Sequence, residues 1–292
     1  MKLTSIFLFL ILFLGCKKEN NNEEKVNHQI SFYVGTYTNN DSKGIYKYKI
    51  SKKGVFSRVG LVAETNNPSF LAKTKDNKTL LAVDETNIEG SGFVKSFAIH
   101  KDTLKLISTS KSGGAHPCFI IVNSKNQVLV ANYSGGNVGF LTLDKKSKLS
   151  NLLYIQQHKG KGTTNRQKAP YAHSTWFHPN KEDIISVDLG TNELWFSKIN
   201  EEKKELFFLD QKKMKFEDGA GPRHLAFHPN KNFIYVLNEL NNTVSVVKEK
   251  EGFYFVDTSI SMLPKNFSKY SKGADIHISN DGKFLYASNR GH

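Results

Sequence analysis

The chain has 292 residues, 38% of them hydrophobic, and a formal net charge of +14 from 41 Lys and Arg against 27 Asp and Glu. That length and apolar fraction exclude a disordered chain, and two cysteines exclude a disulfide-held mini-scaffold. The positive excess does not mark a nucleic-acid binder. Only four of the basic residues are arginines, the lysines scatter through turns and strand edges, and no helix-turn-helix, RNP-like or dense basic block accompanies them.

In chain order, Lys2 precedes nine apolar residues, Ile6 to Leu14, followed by Gly15-Cys16 and a polar run. Nine residues cannot cross a hydrocarbon core of about 30 Å as a helix, so residues 1–15 read as a signal peptide. A small residue before Cys16 resembles a bacterial lipobox. Cys16 is therefore expected to carry lipid, with residues 16–29 a solvated polar tether. The expected setting is an exported protein, lipid-anchored to a bacterial membrane on its periplasmic or cell-surface side. With Cys16 modified, Cys118 is left without an intramolecular disulfide partner.

Residues 30–292 carry five related segments at a period of about 50 residues. They are Pro68–Asp84 (PSFLAKTKDNKTLLAVD), Pro117–Asn132 (PCFIIVNSKNQVLVAN), Ala172–Asp188 (AHSTWFHPNKEDIISVD), Pro222–Asn238 (PRHLAFHPNKNFIYVLN) and Ala274–Asn289 (ADIHISNDGKFLYASN). Each is an apolar strand, a polar turn and a second apolar strand, and further short strands such as Val138–Leu143 and Val244–Val247 lie between them. Four short strands per unit at this period predict an all-β chain folded as a β-propeller. At about 50 residues per blade, roughly five to six blades are expected.

The repeat allows equivalent positions to be compared. Cys118, His173, Arg223 and Asp275 share one column near the start of the first strand. Glu85, Tyr133, Leu189, Glu239 and Arg290 share a second, just past the Asn or Asp that ends the second strand. Antiparallel pairing brings the two columns to one rim. There His173, Arg223, Glu239 and Arg290 stand out, because Arg and Glu are seldom buried without a partner or a task. Against a Lys-rich background, Arg is the residue whose planar fork holds a carboxylate or oxyanion in two places. His116, His224 and His277 flank the strand starts, open between channel lining and core, whereas His178 and His228, each before Pro-Asn-Lys, read as turn residues. His116, His224, Asn132 and Asn289 are the candidate substrate-binding residues, although an Asn or Asp at a strand end also caps turns.

These segments also carry a resemblance. With Phe32–Tyr48 (FYVGTYTNNDSKGIYKY), NPSFLA, HPCF, GPRHLAFHP, YVLNEL and SNRGH, the chain resembles the seven-bladed propeller lactonases of bacterial 6-phosphogluconolactonase type, a family similar to fungal carboxy-muconate lactonizing enzyme. The resemblance covers Phe32 to His292 and implies about one and a half further blades beyond His292. In the fungal enzyme a His, a Glu and two Arg form the proposed channel site. The matching positions are His173, Glu239, Arg223 and Arg290, the four that the repeat comparison singles out.

The expected activity is hydrolysis of a sugar-acid lactone without metal. Either Glu239 or His173 would be the base, and the two arginines would hold the substrate anion and the oxyanion. A muconate-type cycloisomerase, a calcium-dependent propeller lactonase and a non-catalytic surface-tethered binding propeller are the alternatives. No GxSxG, HExxH or CxxC motif suggests another hydrolase. No cofactor, metal or nucleic acid is expected. The partners expected of a monomeric protein are a small anionic or polyhydroxy lactone and the membrane, reached only through the lipid.

Overall fold

The computed structural model describes residues 30–292. The expected signal peptide, tether and lipidation at Cys16 lie outside the described residues. Within them there is no helix, so none is long and apolar enough to cross a membrane.

Twenty-one strands form six antiparallel sheets in which sequential strands pair. The first sheet holds β1 (Ile30–Val34), β2 (Gly44–Ile50) and β3 (Phe56–Glu64). The second holds β4 (Leu71–Lys73), β5 (Thr79–Ile88), β6 (Ser91–Ile99) and β7 (Leu104–Lys111). The third comprises β8 (Pro117–Val122), β9 (Gln127–Asn132), β10 (Asn137–Thr142) and β11 (Tyr154–Gln157). Next come β12 (Ala172–Phe177), β13 (Ile184–Asp188), β14 (Glu193–Asn200) and β15 (Glu205–Lys215). The fifth sheet is β16 (Pro222–Phe227), β17 (Phe233–Asn238), β18 (Thr243–Lys250) and β19 (Phe253–Ser261). The last pairs β20 (Gly273–Ile278) with β21 (Leu285–Asn289).

The apolar clusters show how the sheets stack. Leu225, Val236 and Val247 of the fifth sheet pack on Ile185, Leu194 and Phe196 of the fourth. Ile120, Val130 and Leu141 of the third pack on Leu81, Val83 and Val94 of the second. Similar clusters join the first sheet to the second, the third to the fourth and the fifth to the sixth. Side chains on both faces of each central strand are consumed this way, so β9, β13 and β17 read as nearly continuous apolar runs rather than alternating ones. Consecutive four-stranded sheets sealed face to face, with the first strand of each nearest a common axis, are the β-propeller architecture. Phe70, Phe119 and Trp176 close the axis itself, with Phe119 4.4 Å from Phe70 and 4.7 Å from Trp176 between ring centroids.

The glycine of the GTYT segment is required by a close approach rather than by its own torsion. A Cβ on Gly35 would lie 1.8 Å from the carbonyl oxygen of Pro68, where the chain enters the second sheet.

Candidate active site

The inner strands share a defect at one position. In β8 Pro117 pairs with Asn132 and Phe119 with Ala131, so Cys118 has no opposite residue. His173 in β12, between the pairs Ala172–Asp188 and Ser174–Val187, and Arg223 in β16, between Pro222–Asn238 and His224–Leu237, stand in the same way. A register shift between Gly273 and Ile276 repeats the defect in β20. Each is a β-bulge, which re-aims the extra side chain and twists the strand. The second column is held by a recurring backbone bond. The amides of Glu85, Tyr133, Glu239 and Arg290 donate to the carbonyls of Asn67, His116, Gly221 and Lys272 at 2.7–3.1 Å.

Bulge and backbone bond together bring His173, Arg223, Glu239 and Arg290 to one cavity of about 410 Å³, shared with Glu85, Tyr133, Arg166 and Lys272. Four cations and two carboxylates line it, an excess of two positive charges. Glu239, 4% exposed, is the centre of the charge network. Its Oε2 accepts from Arg223 Nε at 3.1 Å and faces Arg290 Nη2 at 2.9 Å, while Arg166 Nη2 and Lys272 Nζ lie 3.5 Å and 3.9 Å from Oε1. Arg223 also donates through Nη1 to the Ala274 carbonyl, and Arg290 Nη2 to that of Gly273 at 3.1 Å. Burial lowers the Arg223 guanidinium from its usual range, and Glu239 opposes that shift.

His173 is buried beside this network. Burial first, then the charges of Arg223, His224 and Arg290, holds its imidazole well below the ordinary histidine value, so it is neutral at pH 7. Its Nδ1 lies 3.7 Å from Cys118 Sγ, and the edge of its ring meets Tyr133 at 5.4 Å. Cys118 itself is a thiol rather than a thiolate, because burial and the Glu85 charge push its ionisation up. Tyr37 donates to Glu85 Oε2 at 2.9 Å, and burial and that carboxylate raise its phenol to about 12.

The four candidate binding residues are placed differently. His224 lines the floor of the cavity, 3% exposed, with Nδ1 2.7 Å from Asp275 and its ring among Phe119, Phe70 and His173. Asn132, fully buried, donates to Ser112 O and Asn137 Oδ1, and so ties its sheet together rather than facing the cavity. His116 pairs with Ser134 at 2.8 Å, and Asn289 accepts from Ser271 Oγ and from the His292 amide. His116, Asn132 and Asn289 are not among the lining residues. His178 and His228 accept from the amides of Asn180 and Asn230 in their turns, in keeping with the turn reading.

Glu85 and Tyr133 share a repeat column with Glu239 and Arg290, so the alignment held a signal for both. Arg166 and Lys272 come from segments outside the repeat units, and only rarity among lysines distinguished Arg166. Among the described residues no three His, Cys, Asp or Glu side chains converge as a metal site.

Two buried histidines with lowered ionisation have a consequence for stability. Below pH 6.5 the unfolded chain binds protons that His173 and His224 refuse in the folded state, so stability must fall with falling pH across that window. Denaturant midpoints measured from pH 7.5 to 5 are expected to drop steadily below 6.5, and to drop less in His173→Asn.

The family model for the seven-bladed β-propeller lactonases matches residues 31–292. The chain belongs to that family. A 6-phosphogluconolactonase of Bacillus subtilis (strain 168) is 34% identical over 266 residues, covering 89% of this chain and 74% of the relative. A 6-phosphogluconolactonase of Formosa agariphila is 30% identical over 266 residues, 89% of this chain and 75% of the relative. The solved structure of a periplasmic gluconolactonase from Pseudomonas aeruginosa superimposes with a TM-score of 0.84 at 27% identity, covering 90% of this chain and 76% of that one. The lactonase-family chain thus carries its charge network and its buried imidazole in one cavity at the inner rim of the propeller.

Proposed function

We propose that this protein hydrolyses a sugar-acid lactone by metal-independent acid–base catalysis, with His173 as the base. The observation that carries the proposal is the pairing, in one cavity, of a buried neutral imidazole with a guanidinium cluster held by a single carboxylate. Glu239 already accepts a hydrogen bond from Arg223 and pairs with Arg290, whereas burial and neighbouring positive charge keep the imidazole unprotonated and ready to take a proton.

In this reading His173 removes a proton from water as its oxygen bonds to the lactone carbonyl carbon. The carbonyl oxygen becomes an oxyanion, which Arg223 and Arg290 stabilise. When the intermediate collapses, the bond from that carbon to the ring oxygen breaks, and the His173 imidazolium returns its proton to the departing alkoxide. Water and lactone become one hydroxy acid, whose carboxylate is drawn to the same arginines. Glu239 holds the two guanidinium groups in register. The cycloisomerase alternative uses the reverse sense of ring opening at the same residues.

The setting proposed is outside the cytoplasm, tethered through lipid on Cys16. The N-terminal apolar run and the periplasmic Pseudomonas aeruginosa relative support it.

Full-chain protein is expected to open glucono-δ-lactone in a pH-stat assay, at a rate unchanged by EDTA. Loss of activity in chelator would shift the case to the calcium alternative. Saturable lactone binding with no hydrolysis would favour a non-catalytic propeller.

A further inference from the structure

The catalytic cavity holds a second imidazole, one of whose nitrogens nothing in the protein satisfies. His224 lines the floor, 3% exposed, and its Nε2 is buried without a hydrogen-bond partner among the described residues. The ring lies 5.6 Å from Phe119, 5.9 Å from Phe70 and 6.4 Å from Trp176 between centroids, and aromatic carbon offers no strong donor. The one N–H in that group, Trp176 Nε1, is already given to Ser174 Oγ at 2.9 Å. A buried polar atom left unpaired is costly, and one in a residue that lines a reaction cavity calls for a ligand.

The other side of the ring fixes what that ligand must be. Nδ1 lies 2.7 Å from Asp275 Oδ1. That oxygen also accepts from the Ile276 amide at 2.9 Å, and Oδ2 faces His277 Nε2 at 2.9 Å. Burial alone would raise the Asp275 carboxyl, but His224 and His277 hold it well below the usual carboxylate range, so it is an anion. A carboxylate only accepts, so Nδ1 carries the ring hydrogen. Burial lowers the His224 imidazole from its ordinary value, and a neutral ring with hydrogen on Nδ1 has a bare lone pair on Nε2. The missing partner is a donor.

His173 is set in the same way. The Cys118 thiol donates to the His173 carbonyl at 3.4 Å, which leaves its sulfur, 3.7 Å from Nδ1, as an acceptor. Hydrogen on Nδ1 makes Nε2 of His173 the nitrogen that takes the proton. The two rings stand at 78° with centroids 5.2 Å apart. Two bare Nε2 atoms on adjoining rings are a seat for a water, which has a hydrogen for each.

We infer that His224, held by Asp275, is a further catalytic residue that seats the attacking water. The inference rests on the lactonase reading, in which His173 takes the proton. The water gives one O–H to His173 Nε2 and the other to His224 Nε2, so a lone pair is left for the lactone carbonyl carbon. The first hydrogen passes to His173 and on to the departing alkoxide. The second stays on the new carboxyl group, so His224 ends the step as neutral as it began. Asp275 is a positioning residue, acting through His224 by keeping the hydrogen on Nδ1.

The test is the kcat and KM of the full chain on glucono-δ-lactone. His224→Phe places a ring among Phe70, Phe119 and Trp176 and removes both nitrogens. Its kcat is expected to fall about 10- to 100-fold, the worth of a misplaced reactant, with KM and the urea midpoint unchanged. Asp275→Asn should lower kcat by a similar factor in the wild type and little further in His224→Phe, because both changes remove one seat. Turnover of His224→Phe within about twofold of the wild type overturns the inference. So does a loss confined to KM, which marks a substrate hydroxyl as the donor. Where His224→Phe does not fold, an unchanged kcat in Asp275→Asn, whose side chain is 42% exposed, overturns it instead. If the wild type opens no lactone, the hydrolytic reading fails and the seat is read by NMR on the full chain. Imidazole nitrogen shifts that put hydrogen on Nδ1 of His224, with a cross-peak from its Hε1 to a long-lived water, sustain the seat. Hydrogen on Nε2, or no such water, ends it.

Discussion

Replacement of His173 by Asn is expected to lower kcat on glucono-δ-lactone by about 10²- to 10⁴-fold, the usual worth of a positioned general base. Asn keeps a polar side chain of similar reach beside Cys118 and Tyr133 but cannot accept a proton. The loss should therefore appear in turnover with little change in KM. The pH profile provides the sharper signature. Because burial and the surrounding positive charge hold the imidazole well below its ordinary value of 6.5, wild-type kcat/KM should keep its plateau through pH 6.5. It should fall only on the more acidic side, where the imidazole gains its proton. That limb should vanish from the residual activity of His173→Asn. If the variant retains the wild-type limb and most of its rate, His173 is not the base.

Glu239→Gln should cost both activity and stability, and for a different reason. The side chain keeps its shape but loses the charge that two arginines grip at 2.9 Å and 3.1 Å. A guanidinium released from that grip drifts from where the oxyanion forms, and a displacement of about 1 Å is worth on the order of 10²-fold in rate. Breaking one partner of a buried pair also leaves Arg223 uncompensated beside three other cations. The expected loss is about 3 kcal/mol in urea unfolding, the lower end for a buried pair. Arg290 and Arg166 remain 51% and 45% exposed, so water takes up part of their charge. The acid limb of the pH profile should survive in Glu239→Gln. Its disappearance there, with His173→Asn active, would reverse the two roles.

The propeller was legible because its evidence is periodic. Each unit repeats the same apolar strand, polar turn and apolar strand, as in Pro117–Asn132 and Pro222–Asn238, and antiparallel neighbours must pair locally. Local pairing also places two columns of residues on one rim, and His173, Arg223, Glu239 and Arg290 stand out within them. The direction of each side chain was not legible. Strand alternation would send Arg223 and His224 to opposite faces, yet both line the cavity, because the bulge at Arg223 breaks the alternation. The same limit explains Asn132. Its place at a strand end suggested the channel, but the amide satisfies Ser112 and Asn137 inside its own sheet.

The residues that complete the electrostatics depend on how the sheets are set against one another around the axis. Arg166 lies on the connection between β11 and β12, outside the repeated segments, and Lys272 precedes the last repeat. Nothing in their local sequence says that both will come within 4 Å of Glu239. That encounter is a contact between residues far apart in the chain, created when the third, fifth and sixth sheets turn about one axis. Short-range pattern, with its period of two along a strand and its period of one blade along the chain, is written in the order of residues. Which charges meet across the axis is a property of packing, because the interlocking apolar faces that set the angle between sheets also set every distance in the cavity.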